Sequence, residues 1–228
     1  MYAPTNGEPE WIEFYNNSNY EIDLENWTIN DELPSPTKSI IQSKDFIFLP
    51  KTFLVVAKDS SIKDFHNSIN SKIIVQSFAS LNNDVDGVII KDSYGTIIDS
   101  LRYDKTFGGE GGKSLERISI DLETNQKTNW GSSKNLELST PGKINSISQK
   151  DYDLEISSIT TPSKYAIVGK KIKINFSIKN IGKNSATDFT IKVYLDSNRD
   201  NVGSINELIY QKTEKNLAIN SSLNSISF

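Results

Sequence analysis

The chain has 228 residues, of which 36% are hydrophobic and 24% charged, a composition typical of a folded globular protein of one or two domains. Its net charge of −4 and its dispersed lysines argue against nucleic-acid binding, which usually requires a basic face or tail. Cysteine is absent, which excludes disulfides and thiolate chemistry, and no apolar run reaches the ~20 residues of a membrane span.

Short apolar runs in the N-terminal part of the chain predict β-strands. They lie at residues 11–15, 46–49 and 53–57, and each is bounded by polar residues, proline or both. One stretch, 62–69, instead repeats its apolar residues at the spacing of a helix face. We therefore expect a mainly β structure with one short helix.

The clearest local feature is a β-hairpin predicted between residues 81 and 103. Two runs rich in β-branched residues, 88–90 and 96–98, flank the turn-forming sequence Asp-Ser-Tyr-Gly at 92–95. Further along the chain, the alternation of apolar and polar residues over 118–122 predicts another strand.

A domain boundary is predicted in the segment 139–153, which contains a Pro-Gly pair and has little apolar periodicity. Beyond it, strict alternation over 171–179 and 189–195 predicts two strands with one buried face, joined by a turn that includes 180–182. The predicted boundaries are a first domain at 1–146, a linker at 147–152 and a second domain at 153–228.

Several segments of the first domain, in their order along the chain, resemble the lamin tail domain, an immunoglobulin-like β-sandwich. They are EWIEFYN at 10–16, LENWTI at 24–29, the hairpin at 81–103, GKSLERI at 112–118, Trp130-Gly131 and Thr140-Pro141-Gly142.

The second domain is similar to the CARDB family, a bacterial immunoglobulin-like module of cell-surface and secreted proteins. The matching segments are DLEISSI at 153–159, VGKKIKINFSIKNIG at 168–182 and ATDFTIKVYLD at 186–196. The two resemblances imply an all-β chain of two tandem immunoglobulin-like β-sandwiches. Since the second family normally has further strands, we expect the second sandwich to be incomplete, with an unpaired sheet edge, and the chain to be part of a longer protein.

The sharpest chemical motif is DSNRDNVGSINE at 196–207. Calcium loops of the EF-hand type place oxygen ligands at positions 1, 3, 5, 7 and 12, and position 6 is normally glycine. Asn201 stands at position 6, and strand-like rather than helical residues flank the loop. The sequence is compatible with two interpretations of this segment, a calcium-binding loop and a simple hairpin loop whose acidic side chains are solvated. The metal ligands predicted by the spacing are Asp196, Asn198, Asp200, Val202 through its carbonyl, and Glu207.

Two other features have weaker chemical interpretations. The sequence FGGEGGKS at 107–114 approaches the phosphate-binding P-loop, but Phe107 replaces its first glycine and a strand pattern follows where a helix is required. His66, the only histidine, lies in a polar segment without a nucleophile motif. We therefore expect residues 107–114 to form a structural loop and His66 to lie at the surface.

Four aspartates lie along the predicted hairpin, at Asp84, Asp86, Asp92 and Asp99. They could hold a metal for hydrolysis. A structural role is favoured, because Asp92 begins a turn and Asp99 shares a strand face with apolar residues, so that it should be partly buried. The lamin tail resemblance also assigns Asp86 and Asp99 to the sandwich framework.

Together these features favour a non-catalytic binding, adhesion or accessory module whose protein or glycan ligand is not identified by the sequence. The resemblances imply a secreted or cell-surface bacterial protein, although no signal peptide pattern is present. The alternatives are a metal-dependent hydrolase that uses the hairpin aspartates, and nucleic-acid binding by analogy with nuclear lamins, which the acidic pI opposes.

Overall fold

The computed structural model describes residues 1–31, 37–161 and 173–227. The chain divides into two compact units, Met1–Ser148 and Gln149–Phe228. The described residues are almost entirely β-strands, turns and loops, with one short α-helix. The predicted all-β fold class is confirmed, whereas residues 171 and 172 of the predicted second-domain strand lie outside the described residues.

The first unit contains eleven described strands and the helix α1. The strands are β1 Trp11–Tyr15, β2 Ile22–Asp23, β3 Thr28–Asp31, β4 Lys38–Ile40, β5 Ile47–Phe48, β6 Phe53–Ala57, β7 Lys72–Val75, β8 Val85–Lys91, β9 Ile97–Asp104, β10 Leu115–Arg117 and β11 Trp130–Ser132. The helix α1 is one turn, Ile62–Phe65, so the predicted helix is present but shorter than its pattern.

Two larger sheets form the body of this unit. One has the order β1-β6-β7, in which β1 and β6 are antiparallel and β6 and β7 are parallel. The other has the order β4-β3-β8-β9 and is antiparallel. Two short pairs, β2 with β5 and β10 with β11, complete the described strands.

Strand β6 is buried on both faces, which explains its continuous apolar sequence. Leu54 and Val56 point into the main core together with Ile90 of the second sheet. Val55 and Ala57 point to the opposite, outer face and pack with Trp11. A strand covered on both sides has no solvent face to carry polar residues, so it shows no alternation.

The predicted hairpin is confirmed as β8 and β9. Asp92 starts its turn, and its Oδ1 accepts hydrogen bonds from the backbone amides of Tyr94 at 2.9 Å and Thr96 at 2.8 Å. Gly95 has a φ of +85°, a left-handed conformation that glycine adopts without strain.

The strand predicted over 118–122 is wrong, because β10 ends at Arg117 and a turn follows. Buried Asn129 folds this segment back, since its Oδ1 accepts the amide of Ser119 at 2.8 Å and its Nδ2 donates to the carbonyl of Ser119 at 2.9 Å. The apolar residues Ile120 and Leu122 are therefore 42% and 46% exposed.

The second unit contains five described strands in two sheets. They are β12 Leu154–Thr160, β13 Asn175–Asn180, β14 Ala186–Tyr194, β15 Leu208–Leu217 and β16 Ser222–Ser227. One sheet has the order β12-β13-β16, and the other pairs β14 with β15. Its core contains Phe176, Ile178, Ala186, Ile191 and Leu217.

The turn at 180–182 joins β13 and β14 as predicted, but it crosses from one sheet to the other. Asn180 is fully buried, and its Nδ2 donates to the carbonyls of Asn184 and Leu217, each at 2.9 Å. Its Oδ1 accepts the amide of Gly182 at 3.0 Å. One side chain thus fixes the crossover and its contact with β15.

Strand β12 pairs only with β13 in the part of the chain that the structure describes. It leaves Ile156 61% and Ile159 66% exposed. No helix among the described residues is both long enough and apolar enough to cross a bilayer.

Candidate functional site

The loop between β14 and β15 contains the five predicted metal ligands. Asp196 accepts the backbone amides of Asp200 and Asn201, each at 3.1 Å. Asn198 contacts Asp200 twice, because its Oδ1 accepts the Asp200 amide at 3.1 Å and its Nδ2 donates to Asp200 Oδ2 at 2.9 Å. Asp200 Oδ1 in turn accepts the amide of Val202 at 2.7 Å. The first three predicted ligands are therefore brought together by turn hydrogen bonds.

Glu207 occupies a different environment at the base of the loop. It closes a 3₁₀ turn, and its Oε2 accepts from the hydroxyl of Ser204 at 2.9 Å and from the Ser204 amide at 3.3 Å. Its Oε1 accepts from the amide of Ser197 at 2.9 Å and from the Ser197 hydroxyl at 3.0 Å. These donors, Ser204 first, hold the pKa of Glu207 at about 2.

The geometry separates the loop into two parts. Asp196, Asn198 and Asp200 form an exposed turn, whereas Glu207 is only 6% exposed and its oxygens face the two serines. Asn201 has a φ of +59°, the left-handed conformation expected at position 6. Among the described residues, no group of three or more His, Cys, Asp or Glu side chains is arranged to hold a metal ion.

The four hairpin aspartates lie in separate environments. The Asp84 side chain is 89% exposed and lies 3.9 Å from Lys105 Nζ. Asp92 caps the turn, and Asp86 is buried. The Asp99 side chain is 49% exposed and lies 3.5 Å from Arg117 Nη1. Asp99 is more exposed than expected, because β9 is the edge strand of its sheet, although its partner on β8 is the buried Ile90.

Asp86 has a partner that the sequence did not identify, Asp31 on β3. The two residues are 4% and 8% exposed and line one cavity of about 10 Å³, the size of a water molecule. Asp86 accepts the amides of Asn82 at 2.6 Å and Gly87 at 2.8 Å. Burial raises the pKa of Asp86, and the hydrogen bond and charge of Asp31 raise it further.

His66 is buried, so the expected surface position is wrong. It is 7% exposed, and its Nε2 lies 2.7 Å from Glu8 Oε1 and 3.4 Å from Ser139 Oγ. Trp11 meets the imidazole edge-on with ring centroids 6.4 Å apart, and its Nε1 donates to the same Glu8 oxygen at 2.9 Å. The histidine is buried because residues from β1 and from beyond β11 enclose the end of α1.

The His66 arrangement differs from a catalytic triad. In a triad, the acid orients one imidazole nitrogen and the nucleophile contacts the other. Here Glu8 and Ser139 both face Nε2, while Nδ1 has no hydrogen-bond partner. Ser139 is also only 1% exposed. The contacts therefore favour a structural role.

Two further carboxyl groups, from buried Glu116 and partly buried Glu13, hold the segment 139–147, which we call the strap. Glu116 is 2% exposed and accepts from Thr140 Oγ1 at 2.9 Å, Ser146 Oγ at 2.7 Å and the Ile147 amide at 3.3 Å. Glu13 accepts the amide of Gly142. Burial raises the pKa of Glu13 to about 8, although the Gly142 hydrogen bond opposes this shift.

Local sequence pattern is only a weak signal for these groups. Glu13 alternates with Ile12 and Phe14, which is the pattern of a polar residue on a solvent face. The same outer face carries Trp11, however, and the strap covers it. Aromatic residues on the supposed solvent face, Trp11 and Tyr15, are the indication in the sequence that this face is covered.

Comparison with known families reproduces both resemblances in the predicted order. A Lamin Tail Domain model matches residues 1–105, and a CARDB model matches residues 151–224. Both families are immunoglobulin-like modules. The lamin tail match ends in the loop after β9, so β10, β11 and the strap lie beyond it. No curated protein and no solved structure matches the chain.

Proposed function

We propose that this chain is a non-catalytic binding or accessory module of a secreted or cell-surface bacterial protein. The observation that carries this proposal is the tandem of immunoglobulin-like family matches at 1–105 and 151–224. Such modules hold loops and strand edges on a rigid β scaffold, and binding residues are disproportionately placed on these loops.

The contacts of the chain's carboxyl groups agree with this proposal. Asp86, Glu116 and Glu207 are each buried and accept two or more hydrogen bonds from neighbouring loop residues. Their oxygens are used to fix backbone segments. By contrast, the tip of the β8–β9 hairpin presents Tyr94, 94% exposed, in a turn that Asp92 makes rigid.

A paired binding and activity experiment tests the proposal. The whole chain, immobilised on beads, should bind saturably to at least one of a panel of cell-wall glycans and extracellular matrix proteins. In parallel, ester, glycoside and phosphodiester substrates should show no turnover with Ca²⁺, Mg²⁺ or Zn²⁺. If the chain turns over one of these substrates and Asp86→Asn or Glu8→Gln abolishes that turnover, the function is enzymatic and the proposal is wrong.

A second element of the proposal is calcium binding by the 195–207 loop. Its support is that Asp196, Asn198 and Asp200 are adjacent, exposed and already arranged in successive turns. In this proposal these three side chains and the carbonyl of Val202 provide the oxygen ligands that Ca²⁺ prefers. Glu207, the predicted fifth ligand, supports the loop from its base through Ser197 and Ser204.

A further inference from the structure

The strap is held against the rest of the first unit by two carboxyl groups, from buried Glu116 and partly buried Glu13. Glu116 holds both ends of it, through Thr140 near one end and through Ser146 and Ile147 at the other. Glu13 holds the middle through the amide of Gly142. Gly142 has a φ of +74°, and a Cβ at this position would lie 2.5 Å from Ser71 Oγ, so the middle of the strap packs tightly.

The surroundings of Glu13 supply little compensating positive charge. Glu13 retains partial exposure, and β6 presents the apolar side chain of Val55 opposite it. Several titratable groups lie on the segments that pack around Glu13. The acidic ones are Glu116 from β10 and Glu8 and Glu10 from the N-terminal segment, and the basic ones are the Met1 amine, His66 from the end of α1 and Lys143 from the strap.

The nearby cations offset the charge of an ionised Glu13 only in part. Burial lowers the pKa of the Met1 amine to about 6, so the amine is largely neutral above that pH. Lys143 directs its ammonium group to Ser68 Oγ at 2.8 Å, in an exposed position. An ionised Glu13 would therefore add a second negative charge beside Glu116.

We propose that the strap is a latch controlled by protonation, closed while Glu13 carries its proton and loosened when Glu13 ionises. A neutral Glu13 accepts the Gly142 amide through its carbonyl oxygen and adds no charge to the cluster. An ionised Glu13 is stabilised by water when the strap opens, which favours the open state. This latch is independent of the proposed binding function.

The direction of the pH effect follows from the two protonation equilibria. In the closed state burial raises the pKa of Glu13 to about 8, whereas an exposed glutamate has a value of 4.5. Because the closed-state value is the higher one, the latch is strongest below pH 4.5 and weakens as pH rises towards 8. The closed-to-open ratio should fall by about tenfold per pH unit in this window and level off above pH 8.

Hydrogen exchange on the whole chain tests the latch. Protection factors of peptides covering 139–147, normalised to intrinsic exchange at each pH, should fall by about 10² to 10³ between pH 5 and pH 8. Glu13→Gln should keep protection constant, because glutamine accepts the Gly142 amide and cannot ionise. The matched control Glu137→Gln, an exposed site beside the strap, should behave as the wild type.

Constant protection of the wild-type strap across this range would overturn the proposal, and so would an equal loss of protection in Glu13→Gln. If the glutamine variant does not fold, carbon-13 NMR titration of the wild-type carboxyl groups decides the question. A Glu13 carboxyl that titrates near pH 8 together with the loss of strap protection supports the latch. One that titrates near pH 4.5 overturns it.

Discussion

At the scale of single residues, Asp196 is the most informative position of the 195–207 loop. It is the first predicted ligand, and both of its carboxylate oxygens accept amides of the turn. The same oxygens would face a bound cation, so its loss removes a charged ligand and loosens the turn.

We expect Ca²⁺ to raise the thermal midpoint of the second unit in the wild type, and Asp196→Ala to abolish most of this shift. Isothermal titration should give a measurable heat for the wild type and at least tenfold weaker binding for the variant. The matched control is Asp188→Ala, another exposed aspartate of the same unit. Absence of both heat and thermal shift in the wild type contradicts the calcium site.

The buried pair of Asp31 and Asp86 leads to a second prediction at this scale. Burial first, and Asp31 second, raise the pKa of Asp86 above its ordinary value, so ionising Asp86 destabilises the folded unit as pH rises above about 4. Asp31→Asn removes the like charge and should stabilise the unit by about 1 kcal/mol at pH 8.

Urea unfolding at pH 8 and at pH 4 measures this effect, because the gain should shrink at the lower pH. Asp84→Asn, on the same hairpin but with an 89% exposed side chain, should change stability by less than about 0.5 kcal/mol at either pH. If Asp31→Asn raises the free energy of unfolding equally at pH 4 and pH 8, the gain comes from packing and not from removal of charge.

At the scale of elements, the crossover from β13 to β14 depends on Asn180 and Gly182. Asn180→Ala leaves the carbonyls of Asn184 and Leu217 without their side-chain donor and should cost about 2–3 kcal/mol. A Cβ at Gly182 would lie 2.6 Å from the Asp153 nitrogen, so Gly182→Ala forces a backbone shift costing about 1–3 kcal/mol.

Denaturant unfolding of both variants should show these losses in the transition of the second unit. The exposed Asn184 is the matched control, since its backbone carbonyl remains when its side chain is truncated. Asn184→Ala should change stability by less than about 0.5 kcal/mol. If Asn184→Ala lowers the free energy of unfolding as much as Asn180→Ala does, the hydrogen bonds of the buried Asn180 side chain do not explain the loss.

At the scale of the whole molecule, the two units should respond to pH in opposite directions. Between pH 5 and pH 8 the first unit loses the stabilising contributions of Glu13 and Asp86, whose pKa values are raised by burial, and it regains a smaller contribution from the Met1 amine, whose pKa burial lowers to about 6. The second contains Glu207, whose pKa is lowered to about 2 by its serine donors, so it loses stability as pH falls from 4.5 to 2.

Calorimetry of the whole chain at pH 3, 5 and 8 should therefore show two transitions that move apart or cross. The transition of the first unit is identified by its response to Asp31→Asn, and that of the second by its response to Asn180→Ala. A single transition that moves with pH as one unit would contradict independent unfolding of Met1–Ser148 and Gln149–Phe228.

Local patterns predicted the hairpin because the residues that specify it are neighbours in the chain. The apolar runs, the Asp92 side chain and Gly95 all lie within one segment, and the turn chemistry acts over four residues. The first three predicted ligands of the 195–207 loop are adjacent for the same reason. Period-two alternation likewise predicted the all-β class.

Long-range contacts were not predictable from these patterns. The strand expected at 118–122 became a turn because buried Asn129 provides hydrogen bonds across ten residues. His66 is buried because Glu8 and Ser139 reach it from 58 and 73 residues away. The local periodicity of a segment does not indicate hydrogen-bonding partners that lie far away in the chain.

Patterns along the chain were thus sufficient for the all-β class, since turn signals and alternating burial are properties of neighbouring residues. The immunoglobulin-like architecture of the two units came from the family resemblances. Which carboxyl groups come together depends on long-range packing in the folded chain. Asp31 meets Asp86, and the strap meets Glu13 and Glu116, because packing joins segments far apart in the chain. The raised pKa values of Asp86 and Glu13 arise from loss of water and from neighbouring negative charge, which exist only after folding.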